Sequence, residues 1–381
     1  MENLPCDVLS EIFIRLRAKQ IAQMRCISKY WNTHLSQSSF IKSHLDRSIH
    51  NNDRILFVFP TSDCLDVEQL TISPFIELPN FIELPFNAQF KCFRGEVIGS
   101  FNGLICFKYG PTLDSGIIYI WNPSLSAVLT VPYSVSPRVG KYMPDHYFRF
   151  GYDPKTDDYK VFKCTEGVKY TGLGYDPRVV EKWMQIEVYS MRKASWKLIN
   201  QKIPSHLKMT YYPYHICLDD LHPHLHWFGK NETGQVIVAF DLSTETFREI
   251  HLPEISKYFG VLGGKLCVMS KVPDCECEVW VMGEYGVVES WVKHHVLYFI
   301  PHGFTLHSEF IFQVGNCGVG LHDLIAATTK FFRFRGGTKW RCMVVEYVDS
   351  LVWVASSKKL AQPKEKHPNK TQDKQLKRNH N

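Results

Sequence analysis

Apolar residues in the first 45 positions recur at three- and four-residue steps, the spacing that places them on one face of a helix. The first stripe is followed by a second, and a third short helix is predicted to begin at Ser38 or Ser39. The stripes consist of Leu4, Val8, Leu9, Ile12, Phe13 and Leu16, and then of Ile21, Met24, Ile27, Trp31 and Leu35. Three helices in so few residues form a small core, so we expect some apolar surface to be left for a partner.

The pattern changes near Arg54 and stays changed to Val354. Short runs of β-branched and aromatic residues alternate with turn signals such as Asn122-Pro123-Ser124. Helical stripes of twelve or more residues are scarce in this part of the sequence. The sequence therefore predicts a mainly β protein with a small α-helical module at its amino terminus.

A degenerate hairpin repeat runs through the β-rich part. Each unit has an apolar strand, a short polar turn and a return strand, with anchors at Trp121, Tyr189, Phe240 and Trp280. The spacing of about 40 to 70 residues suits four-strand propeller blades. We therefore predict a β-propeller-like domain, with a β-sandwich as the alternative. The most eroded unit lies near Leu321-His322-Asp323-Leu324.

The net charge of the 381 residues is +6, and the Lys-rich segment 356–381 alone carries +6. Residues 1–355 therefore have no net charge, which does not favour a nucleic-acid surface on the folded part. We predict three parts: a helical module at 1–46, a β-rich domain at 47–355 and a disordered basic tail at 356–381. An import signal or a weak polyanion site in the tail stays open.

The amino terminus has no secretory pattern, and no run of about eighteen apolar residues predicts a membrane span. We expect a soluble protein of the cytoplasm, the nucleus or both. The twelve cysteines show no paired framework, so free thiols in a reducing compartment are expected.

Residues 4–16, LPCDVLSEIFIRL, and 25–32, RCISKYWN, resemble the F-box motif in order and spacing. Segments further on resemble the F-box-associated interaction domain of plants, which is kelch-like. They include GSFNGLICF at 99–107, FGYDPKTDDYKV at 150–161, LHWF at 225–228 and VAFDLSTETFREIHLP at 238–253. The resemblance implies a three-helix F-box followed by a recognition domain.

The F-box resemblance implies docking on a Skp-family linker protein and, through it, on a cullin. The residues that would form or support that surface are Leu4, Pro5, Val8, Leu9, Ile12, Leu16, Ile27 and Trp31. Trp31 could equally be internal packing or a contact. Two departures from the motif are Cys6, where an acidic residue is common, and Arg17, where Pro is usual.

Two clusters invite other chemistry. Cys217, His222, His224 and His226 could suggest a metal, but Pro223 predicts a turn among them, and we predict no metal site. Asp153, Asp157 and Asp158 lie in a Tyr-Asp-Pro-Lys-Thr-Asp-Asp-Tyr segment that favours a turn with Asp side chains bonded to backbone amides. We find no phosphate-binding loop and no hydrolase, kinase or zinc-protease motif, so we predict no cofactor.

These observations predict a non-catalytic substrate adaptor of a Skp–cullin–F-box ubiquitin ligase. The F-box would dock on the linker, and the β domain would bind a target protein, whose identity and contact residues the sequence leaves unknown. Two alternatives stay open: a propeller enzyme or lectin-like protein with an unrelated helical start, and a nucleic-acid-binding protein acting through its tail.

Overall fold

A computed structural model provides the structure of the chain. It describes residues 5–50, 54–60, 66–72, 79–83, 94–110, 116–134, 145–171, 178–209, 223–271, 277–298, 301–315, 318–333 and 342–354, apart from residues 202, 205, 255, 257, 306, 307 and 325. Leu4 and the tail at 356–381 lie outside the described residues.

The amino-terminal part has four helices: α1 Cys6–Phe13, α2 Ala18–Ile27, α3 Lys29–Leu35 and α4 Ser38–His50. The sequence predicted three, with Ile21 to Leu35 as one helix. Ser28 interrupts that stretch because its backbone is extended, with φ −151° and ψ 154°. Its hydroxyl accepts a 3.2 Å hydrogen bond from the backbone N–H of Trp31 and so caps a new helix.

The rest of the described chain forms six four-stranded antiparallel sheets. The first sheet contains β1 Arg54–Pro60, β2 Asp66–Ile72 and β3 Pro79–Glu83 together with the last strand of the chain. The second contains β4 Arg94–Phe101, β5 Leu104–Gly110, β6 Ile117–Asn122 and β7 Ala127–Thr130. The third contains β8 Asp145–Asp153, β9 Asp158–Thr171, β10 Arg178–Ser190 and β11 Ser195–Ile199.

The remaining three sheets repeat this plan. The fourth contains β12 Lys208–Met209, β13 His224–Lys230, β14 Gln235–Asp241 and β15 Thr246–His251. The fifth contains β16 Tyr258–Leu262, β17 Lys265–Lys271, β18 Cys277–Met282 and, after a 3-10 turn at Val288–Ser290, β19 Trp291–Leu297. The sixth contains β20 Pro301–Phe304, β21 Phe310–Val314, β22 Gly318–Asp323 and β23 Thr328–Arg333, and β24 Cys342–Tyr347 completes the first sheet.

The six sheets are arranged as a propeller, as predicted, and not as a sandwich. First strands of neighbouring sheets contact one another, as β4 does with β8 and β16 with β20. Apolar side chains fill the spaces between successive sheets; Phe162 of the third, for example, lies 4.8 Å, centroid to centroid, from Phe240 of the fourth. The propeller closes where β24 pairs with β1, with Ile55 opposite Tyr347.

A shared turn occurs in the second, third, fourth and sixth sheets and accounts for three of the four hairpin units seen in the sequence, those anchored at Trp121, Tyr189 and Phe240. The residue that begins the turn accepts a backbone hydrogen bond through its side chain, as Asn122, Asp153, Ser190, Asp241 and Asp323 do. The residue that ends it has a positive φ of 50° to 58°, as Ser126, Asp157, Ala194, Glu245 and Ala327 show. The sixth sheet therefore keeps the turn even though its sequence repeat is eroded.

The helices pack against the propeller at the rim where the chain enters β1 and leaves β24. Leu351, which follows the last strand, is fully buried in the helical core. Leu125, in the β6–β7 turn, packs against the same core. Turns between the first and second strands and between the third and fourth strands lie at this rim, and the other connections lie at the opposite one.

The predicted boundaries at 46/47 and 355/356 stay predictions. In the structure, α4 runs across the first of them and ends at His50.

Candidate functional site: the surface of the four helices

The α1 helix separates its apolar residues into a buried pair and an exposed pair. Leu9 and Phe13 are 5% and 3% exposed and lie in the helical core. Val8 and Ile12 are 41% and 47% exposed. Because residues four apart in a helix share a face, Val8 and Ile12 form one apolar strip on the outside of α1.

A second exposed pair lies where α2 meets α3. Ile27 ends α2 and is 69% exposed, and Tyr30 in the first turn of α3 is 57% exposed. Sequence periodicity missed Tyr30 because it treated residues 21–35 as one helix. Ser28 was the available signal, since Ser commonly begins a helix.

We name Val8, Ile12, Ile27 and Tyr30 the open apolar residues of the helical part. Exposed apolar side chains that recur on one small module are typical of an interaction surface, whereas isolated ones are ordinary on any protein.

The eight residues predicted to form or support the linker surface differ in their exposure. Pro5, Val8, Ile12 and Ile27 are exposed. Leu9 is buried, and Leu16 and Trp31 are half-buried against the helical core. Leu4 lies outside the described residues. The role of all eight in linker docking stays a prediction.

Trp31 packs inside the module. Its ring meets the ring of Phe13 edge to face at a centroid distance of 4.8 Å. Nearby, the Ser10 hydroxyl and the Nε2 atom of His34 are 2.9 Å apart, which joins α1 to α3. These contacts fix the orientation of the helices that carry the open apolar residues.

A buried polar cluster lies beneath α2, between the helices and the propeller. His44 is 1% exposed, and its Nε2 donates a 2.9 Å hydrogen bond to the carbonyl of Leu16. Burial lowers the pKa of His44, and the carbonyl of Leu16 and the carboxylate of Asp349 oppose that shift only in part. The His44 Nδ1 atom is buried and has no hydrogen-bond partner among the described residues, which fits a neutral imidazole.

The histidines considered for a metal have other roles where they are described. His226 is fully buried, and its Nε2 lies 2.7 Å from the hydroxyl of Tyr285. The centroid of the His224 ring lies 4.5 Å from the centroid of the Tyr285 ring. Cys217 and His222 lie outside the described residues. Within the described part of the chain, no group of three or more His, Cys, Asp or Glu side chains could hold a metal.

Asp153 stabilises its own turn, as the sequence predicted, whereas Asp158 bonds to the β10–β11 turn of the same sheet. Asp153 accepts a 3.0 Å hydrogen bond from the backbone N–H of Lys155. Asp158 accepts one of 2.8 Å from the backbone N–H of Arg192 and one of 2.5 Å from the Ser190 hydroxyl. Their oxygens are therefore engaged in holding neighbouring strands together.

No helix among the described residues is both long and apolar enough to cross a lipid bilayer.

Comparison with known families agrees with this architecture. The family model for the F-box domain matches residues 1–43, and that for the F-box associated beta propeller domain matches residues 54–331. A short helical module joined to a propeller in this order defines the class of F-box proteins with a propeller domain. The chain belongs to the F-box associated beta propeller family, which confirms the resemblance seen in the sequence.

Relatives in Arabidopsis thaliana are similar over most of their length. The F-box protein CPR1 is 29% identical over 315 residues, which cover 77% of this chain and 72% of the relative. The F-box protein At4g22390 is 28% identical over 328 residues, which cover 82% and 77%. Among solved structures, TolB from Acinetobacter baumannii matches with a TM-score of 0.40 at 10% identity, over 75% of this chain and 64% of TolB. A TM-score of 0.40 is too low to bear on fold or function.

Proposed function

We propose that this protein is a non-catalytic substrate adaptor of a Skp–cullin–F-box ubiquitin ligase. The observation that carries the proposal is an F-box that exposes Val8, Ile12, Ile27 and Tyr30 while its other large apolar side chains are buried or half-buried among the described residues. The family supports it, because an F-box joined to a propeller suggests an adaptor, and neither family description names a catalytic activity.

Docking of a Skp-family linker would bury the open apolar residues. Full burial of one Val, Leu or Ile side chain stabilises an association by about 1.5–3 kcal/mol. Val8, Ile12 and Ile27 are still 41%, 47% and 69% exposed, so a partner could gain a substantial part of that free energy by covering them. The aromatic ring of Tyr30 adds a residue type that is enriched at interface hot spots.

The propeller would bind the target protein at the rim opposite the F-box. The helices cover part of the near rim, where Leu125 and Leu351 pack against them. The connections at the far rim lie on a rigid frame of sheets, the arrangement in which loops carry recognition. Described residues near that rim include the exposed rings of Tyr133 and Tyr298, 73% and 80% exposed.

Such an adaptor would act by holding its target in position and would carry out no chemical step itself. The linker and its cullin would carry the ubiquitin-charged enzyme, and the propeller would keep target lysines close to it. Tethering raises the local concentration of the target and replaces a bimolecular encounter with an intramolecular one. The protein would act in the cytoplasm, the nucleus or both.

The experiment measures binding of the full-length protein to a purified Skp-family linker from Arabidopsis thaliana. Ile12→Asp and Ile27→Asp should each weaken the affinity at least about tenfold, because each places a charge where an apolar side chain would be buried. Leu198→Asp is the matched control, since Leu198 is 56% exposed on β11 of the propeller. It should bind like the unmodified protein.

All three variants alter exposed side chains and should unfold at nearly the same temperature as the unmodified protein. Unchanged linker affinity in both Ile12→Asp and Ile27→Asp would contradict the proposal.

A further inference from the structure

The α2 helix begins at a residue whose side chain cannot cap it. Its first backbone N–H groups have no partners within the helix, and an oxygen-bearing side chain at the N-cap usually accepts from one of them. The N-cap here is Arg17, whose guanidinium only donates hydrogen bonds. The side chain of Gln20 accepts a 3.0 Å hydrogen bond from the backbone N–H of Arg17. The backbone N–H of Ala18, the first residue of the helix, therefore needs a different acceptor.

Asp349, which follows the last strand of the propeller, supplies the missing acceptor. Its Oδ2 accepts a 2.7 Å hydrogen bond from the backbone N–H of Ala18, a residue 331 positions away in the chain. A carboxylate at this position also interacts favourably with the positive end of the helix dipole. The other carboxylate oxygen accepts a hydrogen bond from the Ser124 hydroxyl in the β6–β7 turn, which holds Asp349 in place.

Leu351 supplies an apolar part of the helical core. It is fully buried in a cluster with Leu9, Phe13, Ala18, Ile21, Leu35 and Phe40. Leu9 and Phe13 lie on the inner side of α1, the helix that presents Val8 and Ile12. The side chain that completes this packing therefore arrives from the far end of the chain.

Segment 348–354 is itself held by the second sheet. Asn122, which is fully buried, donates hydrogen bonds of 3.0 and 2.8 Å to the carbonyls of Ser350 and Val352. Tyr347, the last residue of β24, accepts a 2.9 Å hydrogen bond at its hydroxyl from the backbone N–H of Ser124. The segment follows directly on β24, whose pairing with β1 closes the propeller.

We propose that segment 348–354 is a positioning element that makes linker docking depend on a closed propeller, an inference that rests on the proposed function. Asp349 and Leu351 are positioning residues: they fix α2 and α1 in the orientation that presents the open apolar residues. A chain whose propeller is unfinished or unfolded lacks both contributions. The adaptor therefore recruits its linker only after the domain that binds the target is complete.

The test compares linker affinity among full-length variants, with the same Arabidopsis thaliana linker as the probe. Asp349→Ala should weaken linker binding about tenfold, the equilibrium equivalent of losing one helix cap. Leu351→Ala should weaken it at least as much. A chain truncated after residue 354 removes the basic tail but keeps the segment, and it should bind like the full-length protein.

A compensating change separates positioning from general loss of stability. Arg17→Ser gives α2 a cap of its own, so Arg17→Ser combined with Asp349→Ala should regain most of the lost affinity. Amide hydrogen exchange at Ala18 should accelerate in Asp349→Ala, while exchange in the strands of the third and fourth sheets stays unchanged. A global loss of stability would accelerate exchange everywhere, and Arg17→Ser would not reverse it.

Ile12→Asp separates failure of this inference from failure of the proposed function. If Ile12→Asp and Ile27→Asp also leave binding unchanged, the proposed function itself is wrong. If Ile12→Asp abolishes docking while Asp349→Ala and Leu351→Ala bind normally, the positioning role alone is overturned. The same conclusion follows if both variants bind weakly but Arg17→Ser restores nothing and exchange accelerates throughout the propeller.

Discussion

The hydroxyl of Ser243 donates a 2.5 Å hydrogen bond to Oδ1 of Asp153, joining a turn of the fourth sheet to a turn of the third. The Nζ of Lys160 lies 2.7 Å from Oδ2 of the same carboxylate and also donates to the carbonyl of Leu242 at 2.9 Å. Burial raises the pKa of Asp153, but hydrogen bonds from Lys160, Ser243 and Thr156 outweigh it and lower the pKa to about 2. The carboxylate is thus a charged link between neighbouring sheets.

Replacement of this carboxylate should destabilise the propeller. Asp153→Asn keeps one oxygen acceptor but leaves the ammonium of Lys160, whose side chain is only 11% exposed, without its counter-charge. Removing one partner of a buried ion pair costs roughly 3–5 kcal/mol, so we expect a loss of about that size in the free energy of unfolding. Urea unfolding followed by tryptophan fluorescence measures it.

Asp157→Asn is the matched control for this substitution. Asp157 lies in the same turn, is exposed and has a φ of 51°, a conformation that Asn tolerates well. It should change the free energy of unfolding by no more than about 0.5 kcal/mol. Equal losses in the free energy of unfolding of the two variants would show that the link between the sheets does not stabilise the propeller.

Local pattern was enough to predict most of the propeller. The hairpins anchored at Trp121, Tyr189, Phe240 and Trp280 could be found in the sequence because a strand, a turn and a return strand are neighbours in the chain. The turn residue Asn122 and its equivalents carry a specific signal, since Asx and Ser side chains bond to nearby backbone amides.

Contacts between residues far apart in the sequence could not be predicted from local pattern. Pairing of β24 with β1 joins Ile55 to Tyr347, and no local period encodes it. The burial of Leu351 in the helical core has the same origin. Periodicity also placed Leu9 and Ile12 in one stripe, whereas tertiary packing buries the first and exposes the second. Only the folded arrangement divides core from surface within such a stripe.

The β10–β11 turn of the third sheet contains a residue whose replacement should stabilise the protein. Ala194 has a φ of 51° and is exposed, so its Cβ bears the steric cost of a left-handed conformation while little of the residue is buried. That cost is about 1–2 kcal/mol for an ordinary L-residue and smaller for Asn. Ala194→Asn should therefore raise the free energy of unfolding by about 0.5–1 kcal/mol.

Ser195→Asn provides the comparison for Ala194→Asn in the same urea titration. Ser195 is the exposed first residue of β11, where Asn is disfavoured by a few tenths of a kcal/mol. Stabilisation by both changes would mean that the gain does not come from the left-handed turn.

The buried His44 should make the stability of the protein depend on pH. Its Nε2 donates to the carbonyl of Leu16, so the second proton of an imidazolium would have to sit on Nδ1, which none of the described residues hydrogen-bonds. The groups that act on its charge are Asp349, whose carboxylate lies 4.0 Å from Nε2, and the cations Arg25 and Arg47. Burial is the largest effect and lowers the pKa below its ordinary value of 6.5.

A histidine with a lowered pKa in the folded state binds its proton more readily when the chain is unfolded. His44 therefore favours folding fully above pH 6.5, and that contribution is lost as the pH falls from 6.5 through the lowered pKa of the folded state. One proton accounts for at most about 1.4 kcal/mol per pH unit.

His44→Gln keeps an N–H donor for the Leu16 carbonyl but has no charge to gain, so its free energy of unfolding should fall less steeply below pH 6.5. Urea titrations of both proteins between pH 5 and pH 8 measure the difference. Parallel pH profiles for the unmodified protein and His44→Gln would mean that His44 takes up its proton in the folded state without penalty.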